Sequence, residues 1–145
     1  RDILDLCVKM DDYAERLYES LAAACPDGDL ARTFALLARD ETEHSDWWTG
    51  LLQAWDQGLL PDVVNDTQAL VERLETLYAE LESIPLDNLS RFSVDEMLAL
   101  GARVEFFMID PVFGELIDLT EPGRSERRHA ARAAARRADF LFLEA

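Results

Sequence analysis

The sequence predicts an all-α fold, a four-helix bundle in which one long crossover joins the second and third helices. Apolar residues recur at alternating spacings of three and four along four segments, as expected for helices that bury one face. Proline and glycine separate these segments, and no stretch alternates apolar and polar residues as a half-buried strand does. The 145 residues are enough for one domain with a core, so the whole chain, 1–145, is predicted to be a single domain.

The first two helices form a predicted hairpin. The first helix is expected over 2–24 and ends before the CPDGD segment, where proline and glycine break it. The second is expected over 30–57, with Asp27 or Asp29 available to cap its amino terminus. Because the connection is short, the two helices are expected to run antiparallel.

The crossover carries an extra short helix, expected over 66–83. The SVDE segment at 93–96 has the capping-box pattern, and it opens the third long helix, which is expected to run to roughly residue 112. The fourth helix begins near Thr120 or Ser125 and continues to the end of the chain.

Charge and composition exclude several classes of partner. The net charge of −16 argues against nucleic acid and against an anionic membrane surface, and it suits cations. No apolar run approaches the roughly 20 residues that a transmembrane helix needs. The two cysteines are too far apart on one helix for a disulfide, so a reducing, cytoplasmic location is expected.

Polar residues interrupt the apolar stripe of each long helix. The predicted inward stripe of the second helix includes Trp48, and that of the third includes Leu98 and Gly101. A lone buried carboxylate costs several kcal/mol unless it is paired or metal-bound, and several together repel one another. A multivalent cation neutralises them at once. Two of the groups are Glu-x-x-His pairs, whose side chains share one helix face. In chain order the candidate metal ligands are Asp11, Glu41, His44, Glu105, Glu126 and His129. Four carboxylates and two imidazoles suit non-haem iron or manganese.

The sequence resembles the ferritin-like di-iron superfamily, and most closely its rubrerythrin-like branch. The resemblance is carried by MDDYAERLYESLA (10–22), FALLARDETEHSDWW (34–48), Glu105 and ERRH (126–129). It implies two non-haem iron ions, with manganese as the alternative metal, and no catalytic residue beyond the metal centre. It further implies that Asp11 and Glu105 are terminal ligands, that Glu41 and Glu126 bridge the metals, and that His44 and His129 complete the two ends.

Two departures from the family pattern affect the ligand set. The family usually has glutamate where this chain has Asp11, and Glu15, one turn later, is the substitute ligand. The fourth helix is rich in arginine and alanine, and Glu126 reaches the level of the other ligands only if the third helix ends near Phe113. Tyr18 lies near the predicted site and is interpreted as structural.

Three functions are consistent with these residues. The first is a rubrerythrin-like peroxidase or ferroxidase that reacts with O₂ or H₂O₂ and takes electrons from an external donor. The second is an oxygen- or redox-sensing input domain with the same centre, coupled through its last helix to an output domain after Ala145. The chain starts without Met and ends in an apolar run, so it is expected to be excised from a longer protein. A homodimer is a further expected partner. The alternative is a metal-free helical bundle used for protein interaction.

Overall fold

The computed structural model of the protein describes residues 1–59 and 67–108, and these residues are all-α, with no strand among them. Four α-helices and one turn of 3₁₀ helix, Leu89–Arg91, account for most of them. The α-helices are α1 (Asp2–Ala24), α2 (Gly28–Asp56), α3 (Thr67–Glu82) and α4 (Val94–Met108). The all-α prediction is confirmed. The end of the third predicted long helix and all of the fourth lie outside the described residues.

Helices α1 and α2 form an antiparallel hairpin, as predicted. Residues later in α1 contact residues correspondingly earlier in α2, and the two shifts are equal in number of residues. They join Arg1 to Asp56, Asp12 to Ser45 (2.6 Å) and Glu15 to Thr42 (2.8 Å). This constant register holds the middle of α1 against the middle of α2, where the candidate ligands of both helices lie.

Capping residues fix where two of the helices begin. The Asp27 side chain accepts hydrogen bonds from the backbone N–H groups of Asp29 and Leu30, so it is the cap of α2. At α4, Glu96 accepts a hydrogen bond from the backbone N–H of Ser93 at 2.8 Å, and Ser93 Oγ accepts one from the N–H of Glu96 at 3.3 Å. This reciprocal pair is the capping box that the sequence predicted.

Helix α1 is the centre of the described core, because it packs against α2, α3 and α4. One of its faces is fully buried from Cys7 to Leu21. Leu74, Leu77 and Leu81 form the buried row of α3. The Tyr13 hydroxyl donates to the backbone carbonyl of Ile84 at 2.6 Å, which ties the chain after α3 to α1.

The buried face of α4 differs from the predicted one. The sequence pattern placed Leu98, Gly101 and Glu105 on the inward stripe. The structure buries Gly101 as predicted, but with Met97 and Val104 beside it, and leaves Leu98 47 % exposed. The side chain of Phe34 on α2 reaches α4 at this buried face. A Cβ atom at Gly101 would lie 2.9 Å from Cε1 of Phe34, so only glycine fits at that contact without a shift.

A search of the described residues for membrane spans finds none, because no helix there combines sufficient length with sufficient apolar character.

Candidate metal centre

The hairpin of α1 and α2 brings three of the predicted ligands together. Asp11 lies on α1, and Glu41 and His44 lie one turn apart on α2. One ligand atom from each of the three side chains lies within 4.8 Å of the others. Oxygen and nitrogen ligands at about 2.1 Å from one metal ion are separated by at most about 4 Å. Small side-chain rotations therefore suffice to place all three atoms around one ion.

Asp11 is the most unusual group of the cluster. Its side chain is 2 % exposed, and its Oδ2 has no hydrogen-bond partner among the residues that the structure describes. The pKa of Asp11 is raised to about 8, mainly by burial and next by the negative charge of Glu41, while the charge of His44 and a hydrogen bond with Trp48 act in the opposite direction. An aspartate that is deeply buried, has one oxygen without a partner and faces a second carboxylate destabilises the fold unless something compensates for it.

Glu41 and His44 already interact within α2. Glu41 is 4 % exposed, and its Oε2 lies 3.2 Å from Nδ1 of His44. This hydrogen bond is the main cause that raises the pKa of His44, although partial burial lowers it. The sequence pattern placed His44 inside the buried stripe, but its side chain is 62 % exposed and lies at the edge. The imidazole therefore closes the cluster on the solvent side.

Glu105 lies beside this cluster on α4 and is half-buried. Its Oε1 accepts a hydrogen bond of 2.6 Å from the hydroxyl of Tyr18. Desolvation raises the pKa of Glu105, whereas the hydrogen bond from Tyr18 lowers it. The charge of Glu41 raises this pKa and the charge of His44 lowers it. Glu105 is therefore electrostatically coupled to the three clustered residues, although it is not one of the three whose ligand atoms lie within 4.8 Å.

The remaining predicted ligands are not in the cluster. Glu15 is half-buried one turn after Asp11, and its Oε1 accepts a hydrogen bond of 2.8 Å from Thr42 Oγ1. This bond turns the Glu15 carboxylate toward Thr42 on α2 rather than toward Asp11. Glu126 and His129 lie outside the described residues, so their contribution stays a prediction.

The donor set fits a transition-metal cation. Two carboxylates and an imidazole give the mixed oxygen and nitrogen shell that iron, manganese and zinc accept. The partnerless oxygen of Asp11 provides an acceptor with nothing else to bind. A cation between Asp11 and Glu41 would replace their mutual repulsion with attraction to a common positive charge. Each of these three properties is what a metal site requires.

Sequence reasoning underestimated one residue at this site. Tyr18 was interpreted as structural, yet its hydroxyl is the hydrogen-bond partner of Glu105. A signal was present, because Tyr18 follows Asp11 on the same apolar stripe, and a buried tyrosine hydroxyl needs a partner.

The predicted burial of Trp48 is confirmed, and its ring stands edge-on to that of Trp47 with centroids 4.4 Å apart.

Comparisons with protein-family models, with curated proteins and with solved structures give no match. The assignment of this site therefore depends on the residues and their geometry.

Proposed function

We propose that this chain is a non-haem di-iron carboxylate protein of ferritin-like, rubrerythrin-like architecture that reacts with O₂ or peroxide. The observation that carries the proposal is the buried Asp11 carboxylate, whose Oδ2 has no hydrogen-bond partner among the described residues and which lies within reach of Glu41 and His44. A cation would stabilise a carboxylate in that position.

Each residue has a distinct part in this proposal. Asp11 and Glu41 supply anionic oxygen ligands from the buried side, and His44 supplies a nitrogen from the solvent side. Glu105 adds a carboxylate from α4, and Glu126 and His129 complete the second metal position. Bound iron would supply the ferrous–ferric couple that electron transfer to O₂ or peroxide needs. Because the His44 side chain is 62 % exposed, a small oxidant would reach the site from the side that this imidazole covers.

The same centre serves either of two roles. As a peroxidase or ferroxidase it would turn over repeatedly with electrons from an external donor. As a sensor it would be oxidised once, and the change in charge would alter the helices that hold the ligands and so bias an output domain or partner. Both roles require metal binding, so metal binding is the first property to test.

The second candidate is a metal-free helical bundle used for protein interaction, and one set of observations favours it. Glu41 is hydrogen-bonded to His44, Glu105 is hydrogen-bonded to Tyr18, and the raised pKa of Asp11 leaves that group protonated at neutral pH. Each of these three acids is then paired or neutral. Protonation nevertheless leaves Oδ2 of Asp11 without a partner, and metal binding removes this cost as well as the charge.

Anaerobic loading with Fe²⁺ followed by removal of free metal tests the proposal. We expect about two irons per chain, as in di-iron bundles. Asp11→Asn and Glu41→Gln should lose iron, whereas Asp12→Asn and Glu43→Gln make the same changes at exposed neighbours and should retain it.

The stoichiometry and the response to oxidant separate the alternatives. One iron per chain would mean that Glu126 and His129 do not complete a second position, and none would leave the metal-free bundle. Many turnovers of peroxide per iron favour an enzyme. A single slow oxidation accompanied by altered hydrogen exchange in residues 121–145 favours a sensor.

A further inference from the structure

The side chain of Tyr18 is in contact with two helices other than its own, α2 and α4. Its side chain is fully buried, and its ring lies almost parallel to that of Phe34, with centroids 6.3 Å apart and planes 19° apart. Its hydroxyl lies 3.3 Å from the backbone carbonyl oxygen of Gly101, one turn before Glu105. The position of the hydroxyl is therefore fixed from both α2 and α4.

The hydroxyl is the donor in its bond to Glu105. The phenol oxygen carries the O–H proton and the carboxylate oxygen of Glu105 accepts it. The bond of 2.6 Å joins that proton to Oε1 of Glu105 and occupies only one of the two carboxylate oxygens. The other oxygen remains available as a ligand.

Glu105 needs such a partner because its own helix does not immobilise it. It lies beside the buried row of α4 and is half-buried, while Phe106, the next residue, is 63 % exposed. A glutamate side chain has three rotatable bonds, so fixing it at the edge of a core costs conformational entropy. A preformed hydrogen bond orders the carboxylate before any ligand arrives.

We propose that Tyr18 is the positioning residue for the metal centre, holding the Glu105 carboxylate beside Asp11, Glu41 and His44 so that it serves as the ligand from α4. This inference rests on the proposed metal-binding function. Tyr18 itself does not contact the metal and acts only through Glu105. Outer partners of metal ligands commonly contribute about tenfold to a hundredfold to metal affinity.

A double-mutant cycle with Co²⁺ as the probe tests this role, with the dissociation constant measured by calorimetry and by the visible absorption of Co²⁺. Tyr18→Phe removes one oxygen atom and should weaken Co²⁺ binding by about tenfold to a hundredfold. Glu105→Gln should also weaken it. Adding Tyr18→Phe to Glu105→Gln should change the affinity by less than about twofold. The amide oxygen can still accept the Tyr18 hydrogen bond, but the anionic ligand that Tyr18 would position is gone.

Tyr13→Phe is the matched control. It removes a buried hydroxyl from the same helix, but that hydroxyl donates to the backbone carbonyl of Ile84 at 2.6 Å, away from the ligands. It should lower the melting temperature to a similar extent and leave Co²⁺ affinity unchanged. Wild-type affinity in Tyr18→Phe, or an equal loss in the Glu105→Gln background, overturns the inference while the proposed metal site stands.

A measurement on the unaltered tyrosine keeps the test independent of how well Tyr18→Phe folds. Co²⁺ binding should shift the tyrosine C–O stretch in infrared difference spectra of the Tyr13→Phe protein, and the shift should vanish when Glu105→Gln is added. No shift in the metal-bound protein overturns the positioning role. Failure of the wild-type chain to bind Co²⁺ or Fe²⁺ overturns both the proposed function and this inference.

Discussion

Replacing Asp11 by asparagine should change how the stability of the metal-free protein depends on pH. The pKa of Asp11 is raised from 3.8 to about 8 in the folded state, mainly by burial. The folded protein therefore binds a proton that the unfolded chain has released. Between these two pKa values, the free energy of unfolding falls as the pH rises. Below 3.8 this destabilisation is absent, and above about 8 it is complete.

The magnitude follows from the pKa difference. Each pH unit between the two values costs about 1.4 kcal/mol, so the cost at pH 7 is about 4 kcal/mol. Asparagine carries no charge and removes the whole pH-dependent part. Its amide adds N–H groups to a site with no partner for Oδ2, at a pH-independent cost of about 1–3 kcal/mol. Asp11→Asn should therefore raise the free energy of unfolding at pH 7 by about 2 kcal/mol. The pH-independent amide cost does not reduce the change in the slope of stability against pH, which keeps its full value of about 1.4 kcal/mol per pH unit.

Urea unfolding in the presence of a metal chelator, followed from pH 5 to pH 7, provides the assay. The stability of Asp11→Asn relative to wild type should increase by about 1.4 kcal/mol per pH unit over that range. Asp12→Asn makes the same chemical change at an exposed neighbour whose Oδ1 accepts a hydrogen bond from Ser45, and it should follow the wild-type profile. Parallel profiles for Asp11→Asn and wild type would refute the argument that Asp11 is buried with a raised pKa.

Three further predictions follow from the described contacts. Gly101→Ala places a Cβ atom 2.9 Å from Phe34 and should lower the free energy of unfolding by about 1–2 kcal/mol. A Cβ atom at Gly50 meets nothing within 4 Å, so Gly50→Ala should raise the free energy of unfolding by about 0.5–1 kcal/mol. Equal effects of the two variants in thermal melts would contradict this. Asp27→Ala removes the cap of α2 and should cost about 1 kcal/mol in urea unfolding, and an unchanged midpoint would count against the cap. Calorimetric titration at pH 6 and pH 7 should show tighter Co²⁺ binding at the higher pH, by up to about tenfold for each proton displaced, and a pH-independent affinity would show that no proton leaves the ligands.

Local interactions were the features that sequence reasoning predicted well. The cap at Asp27 and the capping box of Ser93 and Glu96 depend on residues three or fewer positions apart, so their partners are fixed once the helix forms. The antiparallel hairpin follows from the short link between α1 and α2. These two factors suffice to bring Asp11 to Glu41 and His44, and this half of the candidate site was predicted.

The rotation of each helix about its own axis was predicted less well. A stripe spans more than 100° of the helix circumference, so its edge residues are assigned by the neighbouring helix rather than by periodicity. His44 was placed inside the stripe and lies 62 % exposed, and Leu98 was placed inside and lies 47 % exposed. On α4 the deciding contact is that of Gly101 with Phe34, and no local pattern specifies which helix a glycine will approach.

The three carboxylates of the site differ in a way that a purely structural core does not explain. Glu41 has His44 and Glu105 has Tyr18, whereas Oδ2 of Asp11 has no partner among the described residues. The cost of Asp11 at pH 7, about 4 kcal/mol, is a large part of the 5–15 kcal/mol by which domains are usually stable. A cation that binds only the folded state stabilises it, and the gain grows with the logarithm of the ratio of cation concentration to dissociation constant. A cation concentration about a thousand times the dissociation constant would offset the cost of Asp11. If the proposed metal binds, the unfavourable position of Asp11 would make the stability of the fold depend on it. Chelation should then lower the melting temperature of wild type but not that of Asp11→Asn.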